Sequence, residues 1–365
     1  MTSYQLDKKV AVAMSGGVDS AVSAYLLKKA GYEVEGFFLR LKFPHCLLSQ
    51  WREAEGRAYL TAKILEIPLH IIDASRDFRE KVWEPLWKNY LLGLTTNPCP
   101  TCNPQIKFGL LYEKARSLGF SYLATGHYAR IENKNGFWQL KRGKDQTKDQ
   151  SYFLYRLDEK ILPNILFPLG NRKKSQVKKM AQKIFPNRLY RVPESQGLCF
   201  TQGEYFRNFM KKVLPRKEGI VIDEKGEKLG KHPGIWFYTE GQRSGIGNIK
   251  TGGKSIYVIK KITDDNKLVV TGNPKSTHLY TESCAINNLH WIEKPVEKSF
   301  KSKIQLRYGA PTVAVAVKLV VGKKARVTFD KPQRAVTPGQ SAVFYQNDAV
   351  LGGGEIMNDF CNNNL

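Results

Sequence analysis

The chain has 365 residues, above the size at which a single core usually stops growing, so two or three domains are expected. Hydrophobic content of 42% and charged content of 25% are ordinary for a soluble globular protein, and six cysteines are too sparse for a disulfide-stapled secreted domain. The formal charge of +25, from 58 Lys plus Arg against 33 Asp plus Glu, favours a polyanionic partner such as nucleic acid. A membrane partner is not expected, because no basic amphipathic helix with aromatic anchors is evident, and there is no signal peptide or spanning stretch. A cytoplasmic location is the expectation.

In chain order, Lys9 to Ala13 reads as a short buried strand that runs into Met14-Ser15-Gly16-Gly17-Val18-Asp19-Ser20. A helical pattern follows through Ala30 and stops at Gly31. Val34 to Leu39 is a second strand, Trp51 to Leu65 a helix of strong helix formers, and Leu69 to Ile72 a third strand. Ile106 to Leu118 is a further helix and Tyr122 to Thr125 a further strand, ending at Gly126-His127. This alternation predicts a mostly parallel sheet covered by helices. After about Phe206 the pattern turns to short strands: Gly219 to Asp223, Ile256 to Ile262, Lys267 to Thr271, Ile304 to Arg307, Thr312 to Leu319, Lys324 to Phe329 and Ser341 to Tyr345. The fold class is α/β, with a parallel-sheet domain over 1–205, a small mixed domain over 206–275 and a C-terminal β barrel over 276–365.

Two places carry chemistry. Adjacent glycines between a strand and a helix let phosphate oxygens approach backbone N–H groups at the helix's positive end. Ser15 and Ser20 add hydroxyls, and Asp19 is a candidate Mg²⁺ ligand. The spacing fits neither a Walker A loop nor G-x-G-x-x-G. The second place is Asn97-Pro98-Cys99-Pro100-Thr101-Cys102-Asn103, a Cys-x-x-Cys just before a helix, where a thiol ionises more easily. Cys199 lies in a Gly-marked turn, Gly197-Leu198-Cys199-Phe200, whereas Cys46, Cys284 and Cys361 lack such context.

The glycine loop resembles the pyrophosphatase loop of the PP-loop ATPases, which cleave the α–β bond of ATP. That likeness implies that ATP touches Ala13 to Ser20, Leu39 and Gly126. The chain also resembles the tRNA-specific 2-thiouridylases. Besides the two places above, the matching stretches are Gly126-His127-Tyr128-Ala129, Lys148-Asp149-Gln150-Ser151-Tyr152-Phe153, Gly241-Gln242-Arg243, Arg307-Tyr308 and Ala335-Val336-Thr337-Pro338-Gly339-Gln340. The resemblance implies replacement of O2 by sulfur in the wobble uridine of tRNAs for Lys, Glu and Gln. ATP with Mg²⁺ would adenylate O2, Cys199 would carry a persulfide from a sulfur-relay or cysteine desulfurase protein, and Cys102 would release the sulfur through a transient disulfide with Cys199. It further implies tRNA contacts at Asn97, Pro98, Cys99, His127, Lys148, Asp149, Gln150, Arg307, Tyr308 and Gln340. The family pattern has Asp where this chain has Cys99. That departure leaves open a second route, a [4Fe–4S] cluster on Cys99, Cys102 and Cys199, and zinc would need a fourth ligand. A different PP-loop activity on tRNA and a non-enzymatic RNA binder are the competing readings. The latter leaves the glycine loop and the cysteines without a purpose.

Overall fold

A computed structural model describes residues 9–43, 48–190, 206–243, 245–246, 248–249 and 255–357. Cys46, the Cys199 turn and Cys361 lie outside the described residues.

The first sheet is parallel, in the order β3-β2-β1-β4-β7: β1 Lys9–Ala13, β2 Glu33–Arg40, β3 Leu69–Asp73, β4 Tyr122–Ala124 and, after a hairpin described below, β7 Ile165–Leu166. Helix α1, Val18–Lys29, follows β1 and α2, Leu48–Leu65, follows β2. The apolar face of α2 is Ala54, Ala58, Thr61, Ala62 and Leu65, at the three-to-four spacing of a helix packed on a sheet. Its small alanines let α2 lie close to the loop after β1. The chain leaves β1 towards β2 and β3 on one side, while β4 lies on the other. The strand order therefore reverses between β1 and β4, which opens a crevice at their carboxyl ends. The glycine loop and Gly126-His127 flank that crevice.

The hairpin β5 Ala129–Lys134 and β6 Phe137–Arg142 leaves this sheet altogether. Its turn, Asn135-Gly136, takes positive φ at both residues, as a tight hairpin turn requires. The central strands, β8 Gly219–Ile222, β9 Lys228–His232, β10 Asn248–Ile249, β11 Tyr257–Ile262 and β12 Lys267–Thr271, form one sheet in the order β10-β9-β8-β12-β11. The C-terminal strands are β13 Tyr280–Trp291, β14 Ser299–Gln305, β15 Val313–Val320, β16 Lys324–Arg334, β17 Ser341–Gln346 and β18 Ala349–Ile356. They close into a six-stranded antiparallel barrel through the β13–β18 pairing. The expected α/β domain, mixed domain and β barrel are all present.

The barrel does not stand apart. Strand β6 pairs with β18 at Lys141 and Ala349, and Asp348 binds both Arg130 and Lys141. Every residue of β17 except Gln346 is buried, because one face fills the barrel and the other meets the first domain. Ala11, Phe37, Tyr152 and Tyr155 share a single apolar cluster with Val343, Tyr345 and Val350. A second shared cluster joins Phe43, Phe78, Trp83 and Cys102 to Phe209, Ile235 and Trp236, towards the central sheet. Among the described residues, no helix is long and apolar enough to cross a membrane.

Candidate active site

The glycine loop is built at the joint of β1 and α1. The Ser15 amide donates to Ser20 Oγ at 3.2 Å, and Ser20 Oγ donates to the Gly17 carbonyl at 2.9 Å. The Ser20 hydroxyl, expected to be a phosphate donor, thus shapes the loop. Met14 is core: it is buried, and its amide pairs with the Phe37 carbonyl at 2.8 Å. Gly16 has φ +74, and a Cβ there would lie 2.1 Å from the Ala54 carbonyl oxygen of α2. Glycine is required by helix packing before any phosphate arrives. Arg57, one turn further along α2, donates from Nε to the Gly16 carbonyl at 2.9 Å, and burial lowers its pKa.

Asp19 opens α1. Its carboxylate accepts from the Lys174 ammonium at 2.6 and 2.7 Å and from the Tyr128 hydroxyl at 2.9 Å. Lys174 begins helix α3, Lys174–Ile184, and Asp145 holds its backbone amide at 2.8 Å. Sequence reading missed Lys174, Arg57 and the Tyr128 side chain as site residues, because nothing local ties Lys174 to a carboxylate 155 positions away. A cation bound at Asp19 would have to share or displace the Lys174 ammonium, so this carboxylate is not a ready-made Mg²⁺ site.

From Tyr128 the site continues towards the thiols. Gln150 Oε1 accepts from the Tyr128 amide at 3.0 Å, and the Gln150 amide donates to the Tyr128 carbonyl at 2.9 Å. Asp149, expected at the RNA, is buried instead: it pairs with Arg142 at 2.9 Å and accepts from the Gly143 and Ser151 amides and the Ser151 hydroxyl. With its oxygens engaged under the protein surface it organises the loop and cannot read a base edge. His127 is half-buried, with Thr125 Oγ1 2.7 Å from Nδ1 and the rings of Phe108 and Phe167 within 6 Å of its own. Burial, then the neighbouring Lys107, hold its pKa well below the usual value, so it stays a neutral imidazole.

Cys99–Cys102 is the first turn of a helical run that continues as a π-helix, Asn103–Leu110, and then as an α-helix, Leu111–Ser117. Asn97 Oδ1 caps the Cys99 amide at 2.9 Å, so this side chain builds the turn. Cys99 is half-buried and Cys102 is buried. Asn103 Nδ2 donates to the Phe153 carbonyl at 2.9 Å, while its buried Oδ1 has no partner among the described residues. Tyr308 reaches this turn from the barrel. Its ring lies 4.5 Å from that of Phe153, and burial, followed by Asp149 and Cys99, pushes its hydroxyl up. Arg307 beside it is exposed. Gln340, the other barrel residue expected at the RNA, donates its side-chain amide to the Thr95 carbonyl.

Two thiols in one helical turn suit a pair of metal ligands. Among the described residues, however, no group of three His, Cys, Asp or Glu is placed to hold an ion, and the third cysteine lies outside them.

Three family matches divide the chain: a tRNA methyl transferase HUP domain over residues 8–203, a tRNA methyl transferase PRC-barrel domain over 207–272 and an aminomethyltransferase beta-barrel domain over 281–356. The tRNA-specific 2-thiouridylase MnmA of Proteus mirabilis is 38% identical over 96% of this chain and 97% of its own. MnmA 2 of Thermoanaerobacter sp. strain X514 is 41% identical over 96% and 98%. Among solved structures, the U34-tRNA thiolase NcsA from Methanococcus maripaludis aligns over 56% of this chain and 67% of its own at 16% identity and a TM-score of 0.34, a likeness too loose to bear on mechanism. The glycine loop in its crevice, the thiol turn beside it and near-complete alignment with these relatives lead to one assignment: the chain belongs to the tRNA-specific 2-thiouridylase MnmA family.

Proposed function

We propose that the chain uses ATP to activate O2 of the wobble uridine in tRNAs for Lys, Glu and Gln and replaces that oxygen with sulfur. As a member of a 2-thiouridylase family it is a tRNA-uridine sulfurtransferase. The observation that carries the fuller reading is one bonded path: Asp19 to Tyr128, Tyr128 to Gln150, and from the Gln150–Phe153 segment to Asn103 beside Cys102. The path links the helix start after the glycine loop to the turn that carries both thiols, which supports one shared site.

In the first step uracil O2 attacks the α-phosphorus of ATP, pyrophosphate leaves, and the N3 proton departs. The loop amides and the Lys174 ammonium neutralise the departing charge. Asp19 positions that ammonium. In the second step the outer sulfur of a Cys199 persulfide attacks C2 and AMP leaves. The Cys102 thiolate then attacks Cys199 Sγ, releasing 2-thiouridine and leaving a Cys102–Cys199 disulfide that a reductant resets. A wobble base reaches these groups only when flipped out of its stack, and the Tyr308 ring offers it a stacking face. Lys148 and Arg307 supply phosphate contacts. His127, neutral and half-buried, offers a hydrogen bond to the activated oxygen or a phosphate. A sulfur-relay or desulfurase protein delivers the persulfide.

Incubating tRNA with the protein, ATP and a persulfide donor, followed by nucleoside mass spectrometry, should give 2-thiouridine together with AMP and pyrophosphate. Absence of both products overturns the reading. Cys99, half-buried in the same turn as Cys102, favours a second reading in which a [4Fe–4S] cluster on Cys99, Cys102 and Cys199 supplies the sulfur. Cys99→Ala separates the two: under the first it keeps activity in air with a persulfide donor, and under the second it loses activity and iron in protein reconstituted without oxygen.

A further inference from the structure

The segment leading into the thiol turn is fastened by parts of the chain far from it in sequence. Thr95 stands four residues before Cys99. Its amide donates to the Pro338 carbonyl at 3.2 Å, and its carbonyl accepts from the Gln340 side chain, both in the barrel. Its hydroxyl accepts from the Lys261 ammonium of β11 at 3.1 Å, in the central domain. The same ammonium donates to the Tyr238 carbonyl at 3.1 Å. Thr263, two residues further on, packs against Gly93. On the barrel side Gly339 has φ +85, and a Cβ there would press to within 3.0–3.2 Å of Thr96, Leu94 and the Thr95 amide. Three domains therefore converge on one threonine, and Cys102 itself is packed among Phe209, Ile235 and Trp236 of the chain that builds the central domain.

We propose that Lys261 is a positioning residue for sulfur transfer: by holding the Thr95 hydroxyl it sets the turn that carries Cys99 and Cys102, so the thiols adopt attack geometry only when the central domain and barrel are seated. The proposal rests on the thiolation reading above. Stability does not account for the lysine. Burial pulls its pKa down to about 8, with Glu240 opposing that pull, so the ammonium form persists at neutral pH but is held there at a cost. The contribution is unfavourable below about pH 8 and is relieved as pH rises towards the ordinary 10.5. An apolar residue of similar length would avoid that burial cost. What it would lack is a donor that ties Tyr238 to Thr95.

The test uses the full chain carrying Lys261→Met, Lys261→Arg, Thr95→Val and the Lys261→Met/Thr95→Val pair. Three quantities are read: kcat and KM for tRNA thiolation, pyrophosphate release in a single turnover with tRNA, and the rate of Cys102 alkylation by iodoacetamide, followed by peptide mass spectrometry. Displacement of the turn should lower thiolation kcat about tenfold to a hundredfold, with tRNA KM and single-turnover pyrophosphate release within about threefold of the parent. Alkylation of the buried Cys102 should quicken about fivefold or more, on the order of local opening becoming easier by one decade or less. Lys261→Arg should restore most of the loss. Thr95→Val should resemble Lys261→Met, and the pair should be no worse than either alone, because both remove one contact. The melting temperature of Lys261→Met should not fall. Parental kcat and alkylation in Lys261→Met overturn the proposal. So does a raised KM at constant kcat, which would mark a direct RNA contact, or a lowered melting temperature with unchanged alkylation, which would mark plain scaffolding. If the parent makes no 2-thiouridine, the thiolation reading fails, and the alkylation ratios still decide whether Lys261 holds the turn.

Discussion

The two halves of the active site are built in opposite ways. The glycine loop is shaped largely by its own residues: Ser15, Gly17 and Ser20 bond one another within six positions of a single strand–helix joint. The cysteine turn is set by residues more than 160 positions away, with Thr95 bound to Lys261, Pro338 and Gln340. The local site can form as soon as the first sheet does. The distributed site exists only after three domains have packed, so damage far from the thiols reaches them while the glycine loop stays intact.

Substitutions can break or sharpen this contrast. The largest effect is expected at the one point where the loop depends on a neighbour. Gly16→Val forces a β-branched residue to positive φ against the Ala54 carbonyl and should cost about 4 kcal/mol or more, read by urea unfolding. A stable, fully active variant would show that α2 yields and that the loop is not packed as described. Next, Asp149→Ala leaves the Arg142 guanidinium without its partner, and the Gly143 and Ser151 donors unanswered, at a largely buried site. A loss of about 3 kcal/mol is expected, with tRNA affinity changing only as much as stability does. A normal melting temperature with weakened tRNA binding would restore Asp149 to the RNA interface.

Lys174→Met tests the chemistry of the local half. Pyrophosphate release should fall about a hundredfold, equivalent to about 2.7 kcal/mol of transition-state stabilisation, with unfolding little changed. Lys174→Arg should keep part of the activity. Unimpaired pyrophosphate release in the Met variant would reduce Lys174 to a counter-ion for Asp19. Arg307→Ala should raise tRNA KM several-fold, about 1 kcal/mol, and lower the slope of log affinity against log salt by about one, while leaving kcat alone. An unchanged salt slope would remove Arg307 from the phosphate contacts.

The smallest expected effect concerns the joint between the central domain and the barrel. Glu224 accepts from His278, Ser276 and Thr271, and these bonds, His278 first, lower its pKa to about 2. A depressed carboxylate contributes stability above its unfolded value of 4.5, and that contribution is lost as pH falls towards about 2. His278 is largely exposed, so solvent screening cuts the benefit to about 1 kcal/mol. Glu224→Gln should be less stable than the parent by about that amount at pH 6, and the difference should vanish near pH 2. A constant difference across that range would mean the carboxylate charge is not what holds the linker.

Much of the architecture was legible because it rests on period and punctuation. The strand at Lys9–Ala13 was read from its short apolar run, the helix from Trp51 to Leu65 from its strong helix formers, one turn short of its start at Leu48, and the strand over Thr312 to Leu319 from its short-strand pattern, one residue off Val313–Val320. The hairpin Ala129–Arg142 went unread although Asn135-Gly136 signals it, because its strands serve a sheet formed mostly by residues two hundred positions later. Asp149 and Gln340 were placed at the RNA by resemblance. Asp149 is buried among its partners, and half-buried Gln340 gives its side-chain amide to Thr95, contacts that a linear pattern does not carry.

By itself the sequence determined the glycine loop between a strand and a helix, and the family, because the first depends on neighbouring residues and the second on a string of matching motifs. Only the tertiary structure decided which side chains meet those motifs. Lys174 meets Asp19, Tyr308 meets Phe153 beside the thiol turn and Lys261 meets Thr95 across separations at which chain spacing carries no information. The physical reason is that a hydrogen bond between distant residues is chosen by the packing of whole sheets, through shared clusters such as that of Tyr152, Tyr155 and Tyr345, and not by any preference of the residues that make it.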